Sequence, residues 1–360
     1  MKAYLLLLLL LLVASRPLSA ACESPDTARA TRHSEFVEMV RGFSRIDTNY
    51  VEPQKYDFTV MLQNTNTYEM YSLRSHSGQT VRFAPEPSVK VGPYVGWRWF
   101  FLGYTLDLRH VFGGGSAKKE IDLSLYAAQV GIDLFYRVTG NNYHVLSVDF
   151  GDDVNNRAMR RVDFDGFDAS IRGFNCYYVF NHKRFSYPAA FSQSTVQRRS
   201  AGSALLGFGY MRQKIHVDWD AFRRLAASRL GSDVVDTRID SSLLSARVRY
   251  TDVSLSGGYA YNWVFARNWL LAASLSVGLS YKRAESDVTH SHSFSLRDFN
   301  NAHLNVDGIG RFGLVYNNMK WYAGASAVFH TYNYHEKQFS TNTLFGNVNL
   351  YIGFNFGRKK

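Results

Sequence analysis

Between Trp269 and Tyr281 the chain reads W-L-L-A-A-S-L-S-V-G-L-S-Y. Trp269, Leu271, Ala273, Leu275, Val277, Leu279 and Tyr281 occupy the odd positions and are all apolar. The even positions hold Leu270, Ala272, Ser274, Ser276, Gly278 and Ser280, mostly small or polar. A period of two describes a strand with one greasy face and one wet face. Its twelve steps at about 3.3 Å give roughly 40 Å of strand, or about 28 Å of height at a tilt near 45°. That matches the hydrocarbon thickness of a bilayer and is about twice the length of an ordinary soluble strand. The pattern predicts that Leu271, Leu275, Val277 and Leu279 face lipid. Trp269, Tyr281 and Trp263 are placed where interfacial girdles sit.

Nothing else in the chain offers another way across a membrane. Lys2, the apolar run Leu5 to Leu12 and Ser19-Ala20-Ala21 have the order of a secretory signal, so residues 1–21 read as a cleaved signal peptide. Lipid attachment at Cys22 is a second reading of the same junction. Beyond it no apolar run is long enough for a spanning helix, which leaves a closed barrel, because unpaired backbone groups in lipid cost several kcal/mol each. Aromatic residues make up 15% of the chain, yet the mean hydropathy is −0.22. Rings on one face and polar groups on the other produce that combination. The net charge of +11 belongs to an exported chain, which points to anionic headgroups or surface polysaccharide and away from nucleic acid. A merely solvated basic loop surface is the alternative. Cys22 and Cys176 are the two cysteines; they permit one disulfide, although Cys176 lies within a strand pattern and reads as a small wall residue.

The expected fold is all-β: a transmembrane antiparallel up-and-down β-barrel of about twelve strands over residues 56–357, after a periplasmic segment at 22–55. Predicted strands are Tyr56–Asn64 and Thr67–Arg74 (a hairpin about Asn64-Thr65-Asn66), Val89–Trp97, Trp99–His110 and Ile121–Arg137 with a bulge near Gln129. Asp168–Phe180, Ser200–Val217, Arg249–Phe265, Asn268–Lys282, His303–Asn317, Lys320–Tyr334 and Leu344–Phe356 complete them. Residues 138–167, 218–248, 283–302 and 335–343 are long polar connections on one side. The turns at 265–268 and 317–320 are tight and lie on the other, which the longer 182–199 segment does not match. Two short helices are predicted: 34–45 ahead of the wall, and one over 219–230 between Asp218 and Gly231, a capping aspartate and a terminating glycine. The apolar stripe of the second belongs against the barrel rim or the membrane surface, with Arg223, Arg224 and Arg229 toward acidic headgroups, or else inside a loop cap.

Three blocks carry a family likeness. They are Asp47-Thr48-Asn49-Tyr50, then Gly92-Pro93-Tyr94-Val95-Gly96-Trp97-Arg98-Trp99, then Phe185-Ser186-Tyr187-Pro188-Ala189-Ala190-Phe191-Ser192-Gln193 followed by Gln197 and Ser200-Ala201-Gly202-Ser203. From about Asp47 to its end the chain resembles an uncharacterised family of outer-membrane proteins, domain of unknown function 4421. The resemblance implies an envelope protein and supplies no activity or catalytic residue. Phe185, Tyr187, Pro188, Gln193, Gln197, Ser200 and Gly202 are its most specific residues, since no strand pattern demands them. This block reads as a plug folded into the lumen or as an ordered turn sealing the periplasmic rim.

Candidate chemistry is sparse. Asp163, Asp165 and Asp168 are spaced as a calcium loop requires but lack its closing glutamate, and an acidic turn explains them equally; Asp149, Asp152 and Asp153 are similar. His290 and His292, with His330 and His335, are the transition-metal candidates. No G-x-S-x-G is present. The expected role is passive and without cofactor: a monomeric barrel in the outer membrane of a Gram-negative bacterium, surrounded by outer-membrane lipid. It acts either as a small pore or as a barrel binding an envelope or extracellular ligand, and the alternative is a lipid hydrolase at the rim.

Overall fold

The computed structural model describes residues 46–97, 100–103, 106–107, 119–139, 142–240, 243, 248–284, 304–335 and 339–358, within the compact unit Arg45–Lys360. The described strands are β1 (Val51–Pro53), β2 (Tyr56–Ser75), β3 (Thr80–Pro85), β4 (Ser88–Trp97), β5 (Phe100–Gly103) and β6 (Leu106–Asp107). Next come β7 (Lys119–Tyr126), β8 (Val130–Thr139), β9 (Tyr143–Asp149), β10 (Val162–Asp163), β11 (Phe167–Val179) and β12 (Thr195–Gln197). The long C-terminal strands are β13 (Ala201–Val217), β14 (Val248–Ala266), β15 (Trp269–Ala284), β16 (Leu304–Asn317), β17 (Trp321–His335) and β18 (Phe339–Arg358). Apart from the pair β1–β12, they form one antiparallel 16-stranded sheet with the order β10-β9-β3-β2-β18-β17-β16-β15-β14-β13-β11-β8-β7, and β4 attached to β2, β5 and β6.

Some of these sixteen are fragments of one wall strand. β5 and β6 meet β4 in a single register, Tyr94 opposite Gly103 and Lys90 opposite Asp107. β3 and β4 border successive halves of β2, offset where Pro85 and Pro87 leave the ladder without donors. Counting each pair once and setting aside the short β9 and β10, the described residues give β2, β3/β4, β5/β6, β7, β8, β11 and β13 to β18, which is twelve long positions. The sheet as a whole has more strands than the expected twelve, and two expectations about single strands differ from the structure. The expected hairpin at Asn64-Thr65-Asn66 is instead the middle of the unbroken β2. Its turn-forming side chains bond along the strand, Asn66 Nδ2 to Asn64 Oδ1 at 2.6 Å and Gln63 Nε2 to Thr65 Oγ1 at 2.9 Å, while β18 and β4 pair with its two edges. The bulge near Gln129 is a turn between β7 and β8, closed by Ala127 N–H to Val130 O at 3.0 Å; a reversal of direction also shifts the apolar phase. Residues 138–167 are more than a connection, since they carry β9, a 3-10 turn at Asn156–Met159 and β10.

The sheet curls on itself. Asp133 of β8 contacts Arg311 of β16, although β11, β13, β14 and β15 stand between them in the sheet order. Arg137 of β8 also reaches Glu69 of β2 at 3.2 Å. After β8 ends at Thr139, β9 begins at Tyr143 and pairs with β3. The backbone thus ties one side of the sheet order to the other within three residues.

Among the described residues three α-helices interrupt the strands: α1 (Tyr187–Phe191), α2 (Trp219–Leu230) and α3 (Ser232–Arg238). In α2, Asp218 accepts the Ala221 N–H at 2.9 Å and Gly231 follows the last turn. Its Phe222 and Ala226 are fully buried in a cluster with Phe83, Phe164 and Phe167, so the stripe packs into a loop cap. The predicted helix at 34–45 lies outside the described residues, as do the side chains of 97–120.

Candidate functional site: the lumen and its plug

Along the wall, burial follows polarity in reverse. On β15, Leu275, Val277 and Leu279 are 63%, 52% and 57% exposed, whereas Ser274, Ser276 and Ser280 are buried. Leu271 points outward with them, and Trp269 and Trp263 are exposed on the same face; Tyr281 is half-buried. At the turn end of the wall the outward rings run from strand to strand. Trp263 meets Phe265, Phe265 meets Trp269, and Trp269 meets Tyr316 with centroids 5.3 Å apart; further round, Trp321 meets Phe354, Phe354 meets Phe356, and Phe356 meets Phe58. The turns at this end are tight because Asn268 and Met319 take left-handed backbone angles, and Asn317 and Asn318 accept the turn's own N–H groups.

Inside, charged side chains are fully buried. Lys282 bridges two carboxylates, Asp307 at 2.7 Å and Asp252 at 3.2 Å, and donates to Asn333 O. Arg311 pairs with Asp133 and lies over the Tyr177 ring at 4.7 Å. Arg137 pairs with Glu69, which also accepts the Tyr71 hydroxyl at 2.9 Å. Tyr250 donates to Gln213, which donates to Thr343. Each charge comes from the wet phase of its strand. That phase was legible in the sequence; which strand supplied the partner was not, because partners such as Asp133 and Arg311 lie far apart in the chain. Toward the loop end this band gives way to packed rings, including Tyr71, Phe83, Tyr143, Phe167 and Phe222.

The turn end is filled by residues 181–200. Here Ser186 caps α1 by accepting the Ala189 N–H at 3.3 Å, and Pro188 sits in the first turn, where its missing N–H costs nothing. Phe185, Tyr187, Pro188, Ala189 and Ala190 are buried. The Tyr187 hydroxyl reaches Ser274 Oγ at 2.6 Å and its ring lies edge-on to Tyr177. Gln197 organises the segment: its Oε1 accepts from Ser186 N at 3.0 Å and Asn262 Nδ2 at 3.1 Å, and its Nε2 donates to the carbonyls of Arg184, Arg199 and Tyr50. Gln193 donates to Tyr351 Oη at 2.8 Å. Ser200 Oγ accepts the Val264 N–H, and Gly202 is covered by the Tyr259 ring, which a Cβ there would displace. Asp47-Thr48-Asn49-Tyr50 turns into β1, which pairs with β12 beside the plug. Arg198 bonds Glu52, and Arg184 lies over the Tyr50 ring at 5.0 Å. Burial pushes the Glu52 carboxyl up, but the bonds from Lys55 and Arg198 outweigh it and hold the group below its ordinary value.

Among the described residues the lumen holds a polar cavity of about 380 Å³. Gln63, Thr65, Ser326, Asn347 and Asn349 line it on one side, Lys90 and Tyr94 of β4 and Tyr126 of β7 on the others, and Phe191 of the plug faces it. Gln63 donates to Asn349, and Asn349 to Asn347.

Among the described residues the other candidates are not gathered into a site. Asp163, Asp165 and Asp168 are all exposed, while Phe164 and Phe167 between them are buried, so core packing shapes this turn. Among the described residues no group of three or more histidines, cysteines or carboxylates is placed to hold a metal ion. His290 and His292 lie outside the described residues. His330 is an interior residue stacked on Phe345 at 5.0 Å, and His335 bonds Asn305 at 3.3 Å and stands opposite Ser340 in the β17–β18 ladder. Cys176 is a free thiol in β11, and Cys22 lies outside the described residues.

Residues 45–356 match the family model described as Domain of unknown function (DUF4421). The chain belongs to that family. Its three likeness blocks correspond to the turn before β1, to β4, and to the plug with the start of β13. Solved structures similar to it include the outer membrane protease OmpT from Escherichia coli, at 5% identity over 86% of this chain and 100% of that one, with a TM-score of 0.31. The translocator domain of the autotransporter NalP from Neisseria meningitidis is 11% identical, covering 91% and 96%, with a TM-score of 0.28. The P. putida toluene transporter TodX is 8% identical, covering 84% and 91%, at 0.23. Likeness at this level transfers no activity. No curated protein matches the chain.

Proposed function

We propose that this protein is a membrane-spanning β-barrel of the bacterial outer membrane whose lumen is blocked, acting as a passive envelope ligand-binding protein and not as an open pore. One observation carries the reading: the wall has its polarity reversed. Lys282 and Arg311 are 0% and 1% exposed inside while Leu275 is 63% exposed outside, an arrangement favourable only where the outer medium is hydrocarbon. Leu271, Leu275, Val277 and Leu279 then face acyl chains, and the rings of Trp263, Trp269 and Tyr316 mark the interface at the turn end, with Tyr281 at the other. The turn end is periplasmic, since outer-membrane barrels keep short turns there, and export by the signal at 1–21 delivers the chain to it.

The plug and the aromatic cap argue against diffusion through the lumen. The amide- and hydroxyl-lined cavity beside Phe191 suits a small polar ligand. A rim lipid hydrolase is the reading from another class, and no geometry at the described rim favours it. Refolding the mature chain from urea tests the assignment. It should fold only with detergent or vesicles and give no steady conductance in planar bilayers. A stable monomer in plain buffer overturns the membrane assignment; regular channel steps from the intact protein overturn the blocked lumen.

A further inference from the structure

On the outer faces of β11, β13, β14 and β15, toward the loop end, the wall changes character within one step. Phe174, Tyr210, Val253 and Tyr281 stand side by side in one row, with the Phe174 and Tyr210 rings stacked 6.2 Å apart. Two residues further along each strand, and so on the same face, the row is Arg172, Arg212, Thr251 and Arg283. The next row holds Ser170, Lys214 and Arg249. Five cations thus occupy two adjacent rows on four neighbouring strands, directly above an aromatic row. Arg172 faces Arg212 and Lys214 faces Arg249 across the ladder, which concentrates positive charge on this face. Lys214 lies in the field of Arg212, Arg249 and Arg172. Asp168 stands one row beyond on this face, opposite His216.

We infer that this patch binds the phosphate of a phosphorylated lipid in the loop-end leaflet, its acyl chains lying along the apolar wall below. The inference rests on the membrane reading above. Charge complementarity selects the ligand: arginines grip phosphate oxygens through paired N–H groups, and the aromatic row sets the cations at headgroup depth, where each adds to the attraction for anionic lipid. A soluble anion would gain nothing from the adjoining belt.

The full mature chain, folded in detergent and exchanged into vesicles, provides the test. Phosphatidate doped into phosphatidylcholine is the probe, and the lipid kept by the repurified protein is counted by mass spectrometry. The wild type should retain phosphatidate over phosphatidylcholine. Arg212→Gln with Lys214→Gln should lower that preference about tenfold, and Arg212→Lys should restore part of it. Heat-modifiable migration on gels confirms folding, and Arg172→Gln with Arg249→Gln serves if the first pair misfolds. Equal retention of both lipids, an unchanged preference in folded variants, or displacement by equimolar inorganic phosphate overturns the site while the barrel reading stands. A chain that never inserts removes both.

Discussion

Leu275 and Ser274 are consecutive residues in two different solvents. The outer wall of β15 leaves its leucines open, and the lumen encloses serines, Lys282 and its carboxylates. In a soluble sheet the buried face is the apolar one. In the membrane-spanning barrel proposed above, the apolar face needs no protein partner, because hydrocarbon would supply it, and the internal contacts go to satisfying polar groups. The two regions therefore respond to substitution by different rules. The wall tolerates changes of size but not of charge; the lumen depends on pairing.

Removing one partner of a buried pair is the severest way to break the comparison. Asp133→Ala leaves Arg311 uncompensated and should cost about 3–5 kcal/mol of folding stability, measured by urea unfolding in vesicles. Arg311→Met added to it should recover much of the loss; no recovery would mean that the pair is not what the lumen protects. Next in size, Leu275→Arg should cost about 2–4 kcal/mol near the midplane, whereas Leu275→Val should fold like the wild type. A well-folded Leu275→Arg barrel would show that the wall does not face lipid. In the plug, Gln197→Ala strands the Ser186 and Asn262 donors and should cost about 1–3 kcal/mol, read as faster protease cleavage near Arg198 and Arg199 with the wall intact.

The smallest effect is set by pH. Glu52 titrates below its ordinary value of 4.5 in the folded chain, so its contribution to the plug clasp is present above that value and fades as pH falls through the lower, folded one. Protease sensitivity of the 181–200 segment should stay flat from pH 8 to about 5 and rise in stronger acid. Glu52→Gln should already be sensitive at neutral pH and lose the acid step.

Period-two alternation made β11 and β13 to β18 legible to within a few residues, and with them the inward and outward phases of β15. It failed where two signals coincide. Asn64-Thr65-Asn66 reads as a turn locally, yet ladders on both edges of β2 hold it extended. The slip after Leu125 looks the same for a bulge as for a hairpin. β9 and β10 are short and stand above the wall, so no membrane-length pattern marks them. The plug residues were singled out by the family likeness alone, and composition could not decide between a lumen plug and a rim seal; buried Tyr187 bonded to Ser274 on the inner wall decides it.

By itself, the sequence determined the polarity of the wall and the length of its strands, because side chains alternate across any strand and a bilayer has one thickness. Only the tertiary structure decided which charges meet and what closes the lumen. Asp133 and Arg311, or Gln197 and Asn262, become neighbours through the curl of the sheet, and no local pattern encodes a contact between distant strands.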